Sequence, residues 1–455
     1  MTPPPDLSKL TEAEKDALIP ALWAQVQALT ARVAELEARL HQPRKTPSNS
    51  SLPPSKGHKA NRPKGERRAG PRLGSVGRAG GGRPLAEEPD QLVTAKAAAC
   101  AHCRAALGEA DQRLHARYDK LDLPPVRPVV TRVERYRGHC PCCGGTTLAP
   151  VPEGMEEGSP FGVSILALAL YLRFTHAISY RRLTRLFLHL FALRVSEGAL
   201  DAMFRRAKRR FDDEAAAILA RLRRARVVCS DETTVRVGGR THWNWVFRND
   251  EVVIHVIRPT RGRAVVDEVL GGHRPEIWVS DLYGAQRGHA DLWQVCLAHQ
   301  LRDLRYAVEA GDAVFAPRLK ALLLRAVLLA RRRHALKAST RLEYRRRLER
   351  ELDRVLALQP SHRCGLRLRK RYLAVRDSLF TFLEHPEAPP DNNGSERDLR
   401  PMVVYRKVTG GFRSAWGPDL CAALKSVVGT AARRGIDAYH AIHAVLSGRT
   451  VLAPS

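Results

Sequence analysis

The sequence predicts an α+β protein built from several domains, and three observations support this prediction. Its 455 residues, at roughly 150 residues per domain, allow about three folded units. Apolar residues recur with a helical period in several stretches and form strand-like runs in another. Five of the nine cysteines fall in two tight groups, which is typical of a metal site in a reducing compartment.

The charge of the chain narrows the class of function. Lys and Arg number 76 against 47 Asp and Glu, a formal net charge of +29. This excess argues against an ordinary metabolic enzyme and favours a polyanionic partner. The longest clean apolar run, Val163 to Leu172, has ten residues, whereas a membrane span needs about 20. The N-terminus lacks the pattern of a secretion signal. We therefore expect a cytoplasmic nucleic-acid-binding protein with no membrane partner.

Residues 1–42 are predicted to form a coiled-coil helix. Thr11 and Glu14 fit a capping box at its start, and Pro20 predicts a kink or a restart. Self-association into a homo-oligomer is the favoured interpretation, and an amphipathic helix packed on its own domain is the alternative. The apolar residues repeat at spacings of three and four along one seam: Ile19, Leu22, Val26, Leu29, Val33, Leu36 and Leu40.

Residues 43–95 are predicted to be a basic linker. Between His41 and Pro84 there are eleven Lys or Arg and one acidic residue, Glu66. Such a composition cannot bury enough apolar surface to offset the entropy of ordering, so we expect disorder in the free protein. The segment could neutralise DNA phosphates without reading sequence, or it could be a solvated spacer.

Residues 96–150 are predicted to bind zinc as a zinc ribbon. Two turns each hold a pair of thiolates two residues apart, which suits one tetrahedral, structural Zn²⁺. His102 and Cys142 are interpreted as spare, and unpaired buried cysteines are the alternative. The four predicted ligands are Cys100, Cys103, Cys140 and Cys143. Strand-like residues between the pairs suit a ribbon: Val129, Val130, Val133 and Tyr136.

Residues 160–226 are predicted to be helical. Two amphipathic stretches, Tyr180–Leu193 and Glu197–Phe211, are joined by a short turn, with Ser196 as the N-cap of the second. They could form a helix-turn-helix whose recognition helix is Glu197–Arg210. A plain helical bundle explains the same pattern.

Residues 227–412 are predicted to form the core of the protein. The order of elements, β-β-β-α-β, is that of an RNase H-like mixed sheet. A stretch with 21 basic and 7 acidic residues, from Leu301 to Arg376, predicts a DNA-gripping helical insertion at about 305–385. Residues 413–455 are predicted to be helical, with a break at Gly435. The core elements are strands Val227–Val237, Thr241–Arg248 and Val252–Ile257, helix Gly262–Leu270 and strand Glu276–Asp281.

Three carboxylates are candidates for a metal site. If the first and fourth strands are parallel neighbours, Asp231 and Asp281 face each other across roughly 5 Å. Two carboxylates that close repel unless a cation lies between them. Glu396 is the candidate third ligand, and Asp398 is its main rival. Glu232 points to the opposite face of its strand and is interpreted as a bystander.

The residues around Glu396 predict a helix with a basic surface. Asp391 to Asn393 offer N-cap residues, so Glu396 falls in the first turn. Pro401 follows five residues later, so the helix is expected to be short. Four neighbouring cations could hold DNA phosphates: Arg397, Arg400, Arg406 and Lys407.

Taken together, the motifs resemble the transposases of the insertion-sequence-66 family over nearly the whole chain. The zipper-like N-terminus and the paired cysteines belong to this pattern. The remaining motifs follow in the family's order: Lys45–Lys56, Asp231–Thr233, Trp243–Phe247, Ser280–Tyr283, Cys296–His299, Asp391–Arg397, Arg406–Lys407, Gly410–Gly411 and Arg434–Tyr439.

The resemblance implies an Asp-Asp-Glu transposase with Asp231, Asp281 and Glu396 as the catalytic triad. It also implies that Cys296 and His299 form the Cys-x-x-His feature that some such enzymes carry behind the second aspartate. The departures from the family pattern, such as Leu282–Tyr283 after Asp281, remove no metal ligand. A nucleoid-associated bacterial protein that acts with accessory proteins of its element is the corresponding expectation.

The hypothesis from the sequence is metal-dependent phosphoryl transfer on double-stranded DNA, both element ends and target. Two Mg²⁺ or Mn²⁺ ions, held by the three carboxylates, would support strand cleavage followed by strand joining. One alternative is an RNase H-like nuclease or resolvase that cuts without joining. Another is a zinc-ribbon DNA-binding regulator with a non-catalytic core.

Overall fold

The computed structural model describes residues 11–40, 42–46, 49–50, 83–155 and 157–453. Most of the predicted basic linker, residues 51–82, lies outside this part of the chain. The described residues belong to two compact units, which are treated separately. The smaller takes in Lys59–Thr131 and Leu186–Arg194, and the larger takes in Met1–His58, Arg132–Arg185 and Val195–Ser455.

The N-terminal helix α1 spans Glu12–Leu40 and continues through Pro20, so no new helix begins there. Its predicted capping box is confirmed, because the Thr11 N–H donates to Glu14 Oε2 at 2.8 Å and the Glu14 N–H donates to Thr11 Oγ1 at 3.4 Å. The seam residues from Ile19 to Val33 are solvent-exposed in the single chain, with Leu29 at 62%. Pairing of this seam with a second chain stays a prediction.

The region predicted to be a zinc ribbon contains little strand. A short hairpin is formed by β1 (Arg137–His139) and β2 (Thr146–Leu148). The residues predicted to be strand-like are exposed and lie outside any described strand, although the Tyr136 carbonyl, next to β1, accepts the Ala149 N–H at 2.9 Å. These residues are Val129, Val130, Val133 and Tyr136.

Three helices follow: α2 (Val163–Leu170), α3 (Tyr180–Phe191) and α4 (Glu197–Leu222). A π-helical turn, Tyr171–Thr175, extends α2. Ser196 is the N-cap of α4 as predicted, since its Oγ accepts the Ala199 N–H at 3.0 Å. Helix α4 is longer than predicted, because Ile218 and Leu222 continue its buried apolar stripe.

A mixed five-stranded sheet forms the centre of the larger unit. Its strands are ordered β5-β4-β3-β6-β7. Strand β4 is antiparallel to both β5 and β3, and β6 runs parallel to both β3 and β7. The predicted order β-β-β-α-β is confirmed, with bounds within two residues of those expected. The elements are β3 (Val227–Val237), β4 (Arg240–Arg248), β5 (Val253–Arg258), α5 (Ala264–Leu270), β6 (Ile277–Ser280) and β7 (Leu292–Val295).

A helical region with its own apolar core follows β7. Large side chains such as Phe315, Leu352 and Tyr372 are fully buried there. Burying these side chains is what stabilises so basic a set of helices, since the charges stay on the outside. The helices are α6 (Leu297–Glu309), α7 (Ala316–Ala330), α8 (Ala338–Ala357), α9 (Arg363–Ala374) and α10 (Thr381–Glu384).

The last three helices are α11 (Asn393–Thr409), α12 (Gly417–Ala432) and α13 (Ala438–Leu446). The prediction that Pro401 would make α11 short is wrong. Pro401 is exposed, whereas Met402 and Tyr405 are buried, so packing outweighs the loss of one backbone hydrogen bond. The predicted break at Gly435 is confirmed, and its φ of 73° is one that glycine adopts without strain.

The predicted class, an α+β protein, is confirmed by the mixed sheet and the many helices. The RNase H-like identity of the core, the zinc ribbon, the coiled coil and the domain boundaries stay predictions. In the described part of the chain, no helix combines the length and the apolar composition that crossing a bilayer requires.

Candidate active site

Two predicted aspartates lie on neighbouring parallel strands, Asp231 in the middle of β3 and Asp281 directly after the end of β6. The parallel register sets Cys229 beside Val279, and Asp231 and Asp281 each lie two residues farther along. Side chains alternate along a strand, so both aspartates share the face of Cys229 and Val279. On that face the apolar residues pack against Ala388, in the loop that leads to α11. The sheet therefore brings the two predicted aspartates together.

The charge environment of Asp231 is strongly negative. Its pKa is raised well above the ordinary value, first by burial and then by the charges of Glu232 and Asp281. The Glu232 N–H donates to Asp231 Oδ1 at 2.9 Å and partly offsets this shift. The charge of Glu396 raises the pKa further, which shows that the third predicted carboxylate acts on the first one. Repulsion of this kind favours either a proton or a cation.

Glu396 is held by two side chains of α6. Arg302 Nη2 donates to Glu396 Oε1 at 3.0 Å, and His299 Nε2 lies 3.6 Å from the same oxygen. The pKa of His299 is lowered, first by burial and then by the Arg302 charge. His299 Nδ1 is 3.3 Å from Cys296 Sγ. The Cys-x-x-His feature is thus connected to the glutamate, and Arg302 was not singled out from the sequence.

Asn392 links the segments that carry the carboxylates. Its side-chain amide donates to the carbonyl of Ser230, next to Asp231, at 2.7 Å, and its Oδ1 accepts the Ser395 hydroxyl at 2.6 Å. Its backbone N–H points to Cys296 Sγ at 3.1 Å. The sequence indicated Asn392 as a cap residue, but its contacts to β3 and α6 follow from the fold.

Asp398, the alternative third ligand, forms ion pairs with Arg248 and Arg433. Arg433 Nη2 lies 2.6 Å from its Oδ2 and Arg248 Nε lies 3.2 Å from the same atom. The Arg248 guanidinium also occupies the space where a Cβ on Gly394 would lie. These contacts fix the first turn of α11 to β4 and α12, so Asp398 anchors the helix that presents Glu396.

Glu232 lies on the opposite face of β3 from Asp231, as predicted, and is hydrogen-bonded by Arg261 and Gln286. Arg261 Nε donates to Oε1 and Gln286 Nε2 donates to Oε2, both at 2.7 Å. Arg261 stacks 3.6 Å from the ring centre of Tyr283, whose N–H donates to Asp281 Oδ1 at 2.9 Å. Glu232 therefore supports the loop that positions Asp281, which the sequence did not indicate.

The four predicted DNA-binding cations of α11 differ in their contacts. Arg397, Arg400 and Lys407 are exposed. Arg406 donates to the hydroxyls of Thr233 at 3.1 Å and Thr234 at 2.8 Å, and burial lowers its pKa. Its guanidinium fastens α11 to β3, and the other three cations face solvent.

In the smaller unit, one cysteine pair lies in a tight turn. The Cys100 N–H donates to the Ala105 carbonyl at 2.8 Å, and the Arg104 N–H donates to the Cys100 carbonyl at 2.9 Å. Arg104 has a φ of 65°. The backbone N–H of Cys103, followed by that of His102, lowers the pKa of the Cys100 thiol. Such N–H donors stabilise a thiolate.

In the larger unit, the second cysteine pair has the same local geometry. The Cys140 N–H donates to the Gly145 carbonyl at 2.8 Å, and the Gly144 N–H donates to the Cys140 carbonyl at 2.9 Å. Gly144 has a φ of 67°. The backbone N–H groups of Cys143 and then Cys142 lower the pKa of the Cys140 thiol. Each turn by itself therefore holds two cysteine side chains next to each other and lowers the pKa of the first.

Across the described residues, no group of three or more His, Cys, Asp or Glu side chains is close enough to hold a metal ion as it stands. The charges of Asp281 and Glu396 raise the pKa of Asp231, but the three carboxylates do not form a closed cage.

Comparison with known proteins gives two family matches. Residues 158–419 match the family described as Transposase IS66 family, and residues 2–79 match DUF6444, a family of unknown function. Over 87 residues the chain is 32% identical to uncharacterized protein y4jO of Sinorhizobium fredii. That alignment covers 19% of this chain and 27% of the relative, so the chain spans about a quarter of its length. Because the first match takes in more than half of the chain, this protein belongs to the transposase IS66 family.

Proposed function

We propose that this transposase cleaves DNA strands at the ends of its insertion sequence and joins them to target DNA. Asp231, Asp281 and Glu396 would be the catalytic carboxylates. The observation that carries the proposal is that the register of β3 and β6 sets Asp231 level with Asp281, and that the charges of Asp281 and Glu396 both raise the pKa of Asp231. The strand order β5-β4-β3-β6-β7, which fits the predicted RNase H-like core, supports the same assignment.

The donor set fits a hard divalent cation. All three side chains offer carboxylate oxygens, which Mg²⁺ and Mn²⁺ prefer. Burial and then the neighbouring carboxylates raise the pKa of Asp231. A bound cation would reduce the repulsion among these carboxylates. When bound, one or two such ions supply charge stabilisation at a phosphate and activation of water.

The surrounding side chains orient these ligands. Arg302 and His299 hold one oxygen of Glu396, and Asn392 fixes the first turn of α11 to β3. Fixing a ligand through its neighbours reduces the entropy that binding must overcome. We assign Arg302, His299 and Asn392 as positioning residues.

Exposed cations are the proposed DNA contacts. Arg397, Arg400 and Lys407 lie on the same helix as Glu396, so phosphates bound there would run beside the carboxylates. The basic helices α7 to α9 would hold flanking DNA by the same sequence-independent attraction.

The test is a comparison of Glu396→Gln with Glu251→Gln on labelled element-end DNA in Mg²⁺. Glu251 is a half-exposed carboxylate paired with Arg221, outside the site. We expect the Glu396 variant to lose cleavage and joining by about a thousandfold or more, because charge stabilisation of several kcal/mol is removed. The Glu251 variant should retain both.

Three results would count against the proposal. Retained cleavage in Glu396→Gln would place the third ligand elsewhere. Cleavage without joining of a pre-cleaved end would favour the nuclease alternative. DNA binding without any nicking in the wild-type protein would favour the regulator.

We also propose that the cysteine turns bind structural zinc. The support is the thiolate geometry of each turn by itself. Cys143→Ser and Cys142→Ser form a matched pair within one turn, since only Cys143 is a predicted ligand. We expect bound zinc, measured by elemental analysis, to fall in the Cys143 variant and to persist in the Cys142 variant. Equal zinc content in both would contradict the assignment.

We propose further that the exposed seam of α1 pairs with a second copy of the chain. Apolar side chains that repeat at coiled-coil spacing and remain exposed gain most from such pairing. Leu29→Asp should shift sedimentation toward a smaller species, whereas an unchanged distribution would contradict pairing through this seam.

A further inference from the structure

A short segment after α1 lies against the catalytic half of the molecule. Asn49 in this segment is buried, with 3% of its surface exposed. Its Oδ1 accepts the Thr46 N–H at 2.7 Å, and its Nδ2 donates to the Arg44 carbonyl at 3.2 Å and to Glu309 Oε2 at 2.6 Å. An asparagine amide offers two donors and one acceptor oxygen. Both the donor nitrogen and the acceptor oxygen of the Asn49 amide are hydrogen-bonded here, which is typical of a specific contact.

The receiving surface is one face of α6. Glu309 lies at the end of that helix, and Tyr306, one turn earlier, lies under the Lys45 ammonium at 5.5 Å from the ring centre. Hydrogen bonds from Asn49 and then Arg305 lower the pKa of Glu309. A charge-assisted hydrogen bond and a cation–π contact therefore join the same two segments.

The contact between Asn49 and α6 links the N-terminal segment to the helix that holds Glu396. Helix α6 holds Glu396 at its other end, through His299 and Arg302. Helix α1 ends at Leu40, and the four steps to Arg44 can span at most about 14 Å. The C-terminal end of α1, and whatever pairs with it there, is therefore kept within a short tether of the helix that positions Glu396.

We propose that residues 44–46 and 49–50 form a docking anchor for α6, and that this anchor couples assembly through α1 to the catalytic core. The docking part of the proposal does not depend on the carboxylate chemistry. The coupling part rests on the proposed function, because it concerns strand joining. A local packing contact without consequence is the competing explanation.

A donor–acceptor swap tests the anchor in the full-length protein. Asn49→Asp places a carboxylate against Glu309, so we expect hydrogen exchange of the anchor amides to rise roughly tenfold or more. Glu309→Gln should alter it little, because the glutamine oxygen can still accept from Asn49. The double variant, Asn49→Asp with Glu309→Gln, places an amide donor opposite the introduced carboxylate and should recover part of the protection.

The matched control is Glu343→Gln, which removes another Glu–Arg pair of the same spacing, with Arg347 on α8. It should leave exchange in the anchor unchanged. Fast exchange in the wild-type anchor, or a double variant no better protected than Asn49→Asp, would overturn the docking.

The coupling between assembly through α1 and the catalytic core is measured by the yield of joined DNA. We expect Asn49→Asp to lower it several-fold at an unchanged melting temperature of the core, and the double variant to restore part of it. Lost protection with undiminished joining would overturn the coupling while leaving the docking intact. Because exchange is measured without DNA, failure of the proposed chemistry would not be confused with failure of the anchor.

Discussion

The two faces of β3 carry adjacent carboxylates in contrasting surroundings. Burial raises the pKa of both Asp231 and Glu232. The charge of Asp281 also raises the pKa of Glu232, but Arg261 and Gln286 donate to Glu232 and lower it. Among the described residues, Asp231 receives only the N–H of Glu232 and is exposed to the charges of Glu232, Asp281 and Glu396. Glu232 is thus an ion-paired group, whereas Asp231 is surrounded by negative charge.

The difference indicates that a cation would bind at Asp231 and not at Glu232. A buried charge that is already paired contributes to structure, and taking its partner away is costly. A cluster of mutually repelling carboxylates, such as the one around Asp231, is destabilising until a cation arrives. The comparison leads to three experiments, ordered by the size of the expected effect.

Asp231→Asn should have the largest effect. We expect cleavage to fall by about a thousandfold or more. Because the folded-state pKa of Asp231 is raised, its contribution to stability is fully present below the ordinary carboxyl pKa and is lost as the pH rises through the raised pKa. Without divalent cations, the variant should therefore melt at a higher temperature than the wild type at neutral pH, and the two should converge in acid.

Thermal unfolding against pH, with and without Mg²⁺, checks this expectation. Mg²⁺ should raise the melting temperature of the wild type and have a smaller effect on the variant. A variant that is less stable than the wild type at neutral pH without cations would show that Asp231 is a paired structural group like Glu232.

Arg302→Ala should have an intermediate effect. Removing the guanidinium leaves Glu396 without its 3.0 Å partner, and loss of such a neighbour typically costs about 10–100-fold in metal affinity or activity. The measurement is the Mn²⁺ concentration at half-maximal cleavage, together with Mn²⁺ binding in the absence of DNA. Arg302→Lys should recover part of the loss, and unchanged Mn²⁺ binding in Arg302→Ala would contradict a positioning role.

Glu232→Gln should have the smallest effect. The amide keeps hydrogen-bonding capacity toward Arg261 and the burial penalty of the charge is removed, but Arg261 loses its ion-pair partner, so we expect a stability loss of about 1–3 kcal/mol. Cleavage should remain within several-fold, with an unchanged Mn²⁺ requirement. A loss as large as that of Asp231→Asn would mean that Glu232 is a ligand and that the two faces are not distinct.

Much of the fold followed from local patterns. The alternation along β3, the cap at Ser196 and the break at Gly435 are decided by residues within a few positions of one another, and the structure has all three. The short helix predicted around Pro401 was wrong, because burial of Met402 and Tyr405 by distant elements outweighed the local cost of proline.

Two features of the candidate sites could be predicted from the sequence. They are the alternation of side chains along β3 and β6 and the two turns that hold cysteine pairs, and each depends on backbone geometry over a few residues. The tertiary structure decided which acid on α11 is available: Asp398 is taken by Arg248 and Arg433, and Glu396 is presented beside Arg302. It also decided the roles of Asn392 and Asn49, whose partners lie far away in the sequence. Contacts across such separations depend on how helices and strands pack, and local spacing carries no information about them.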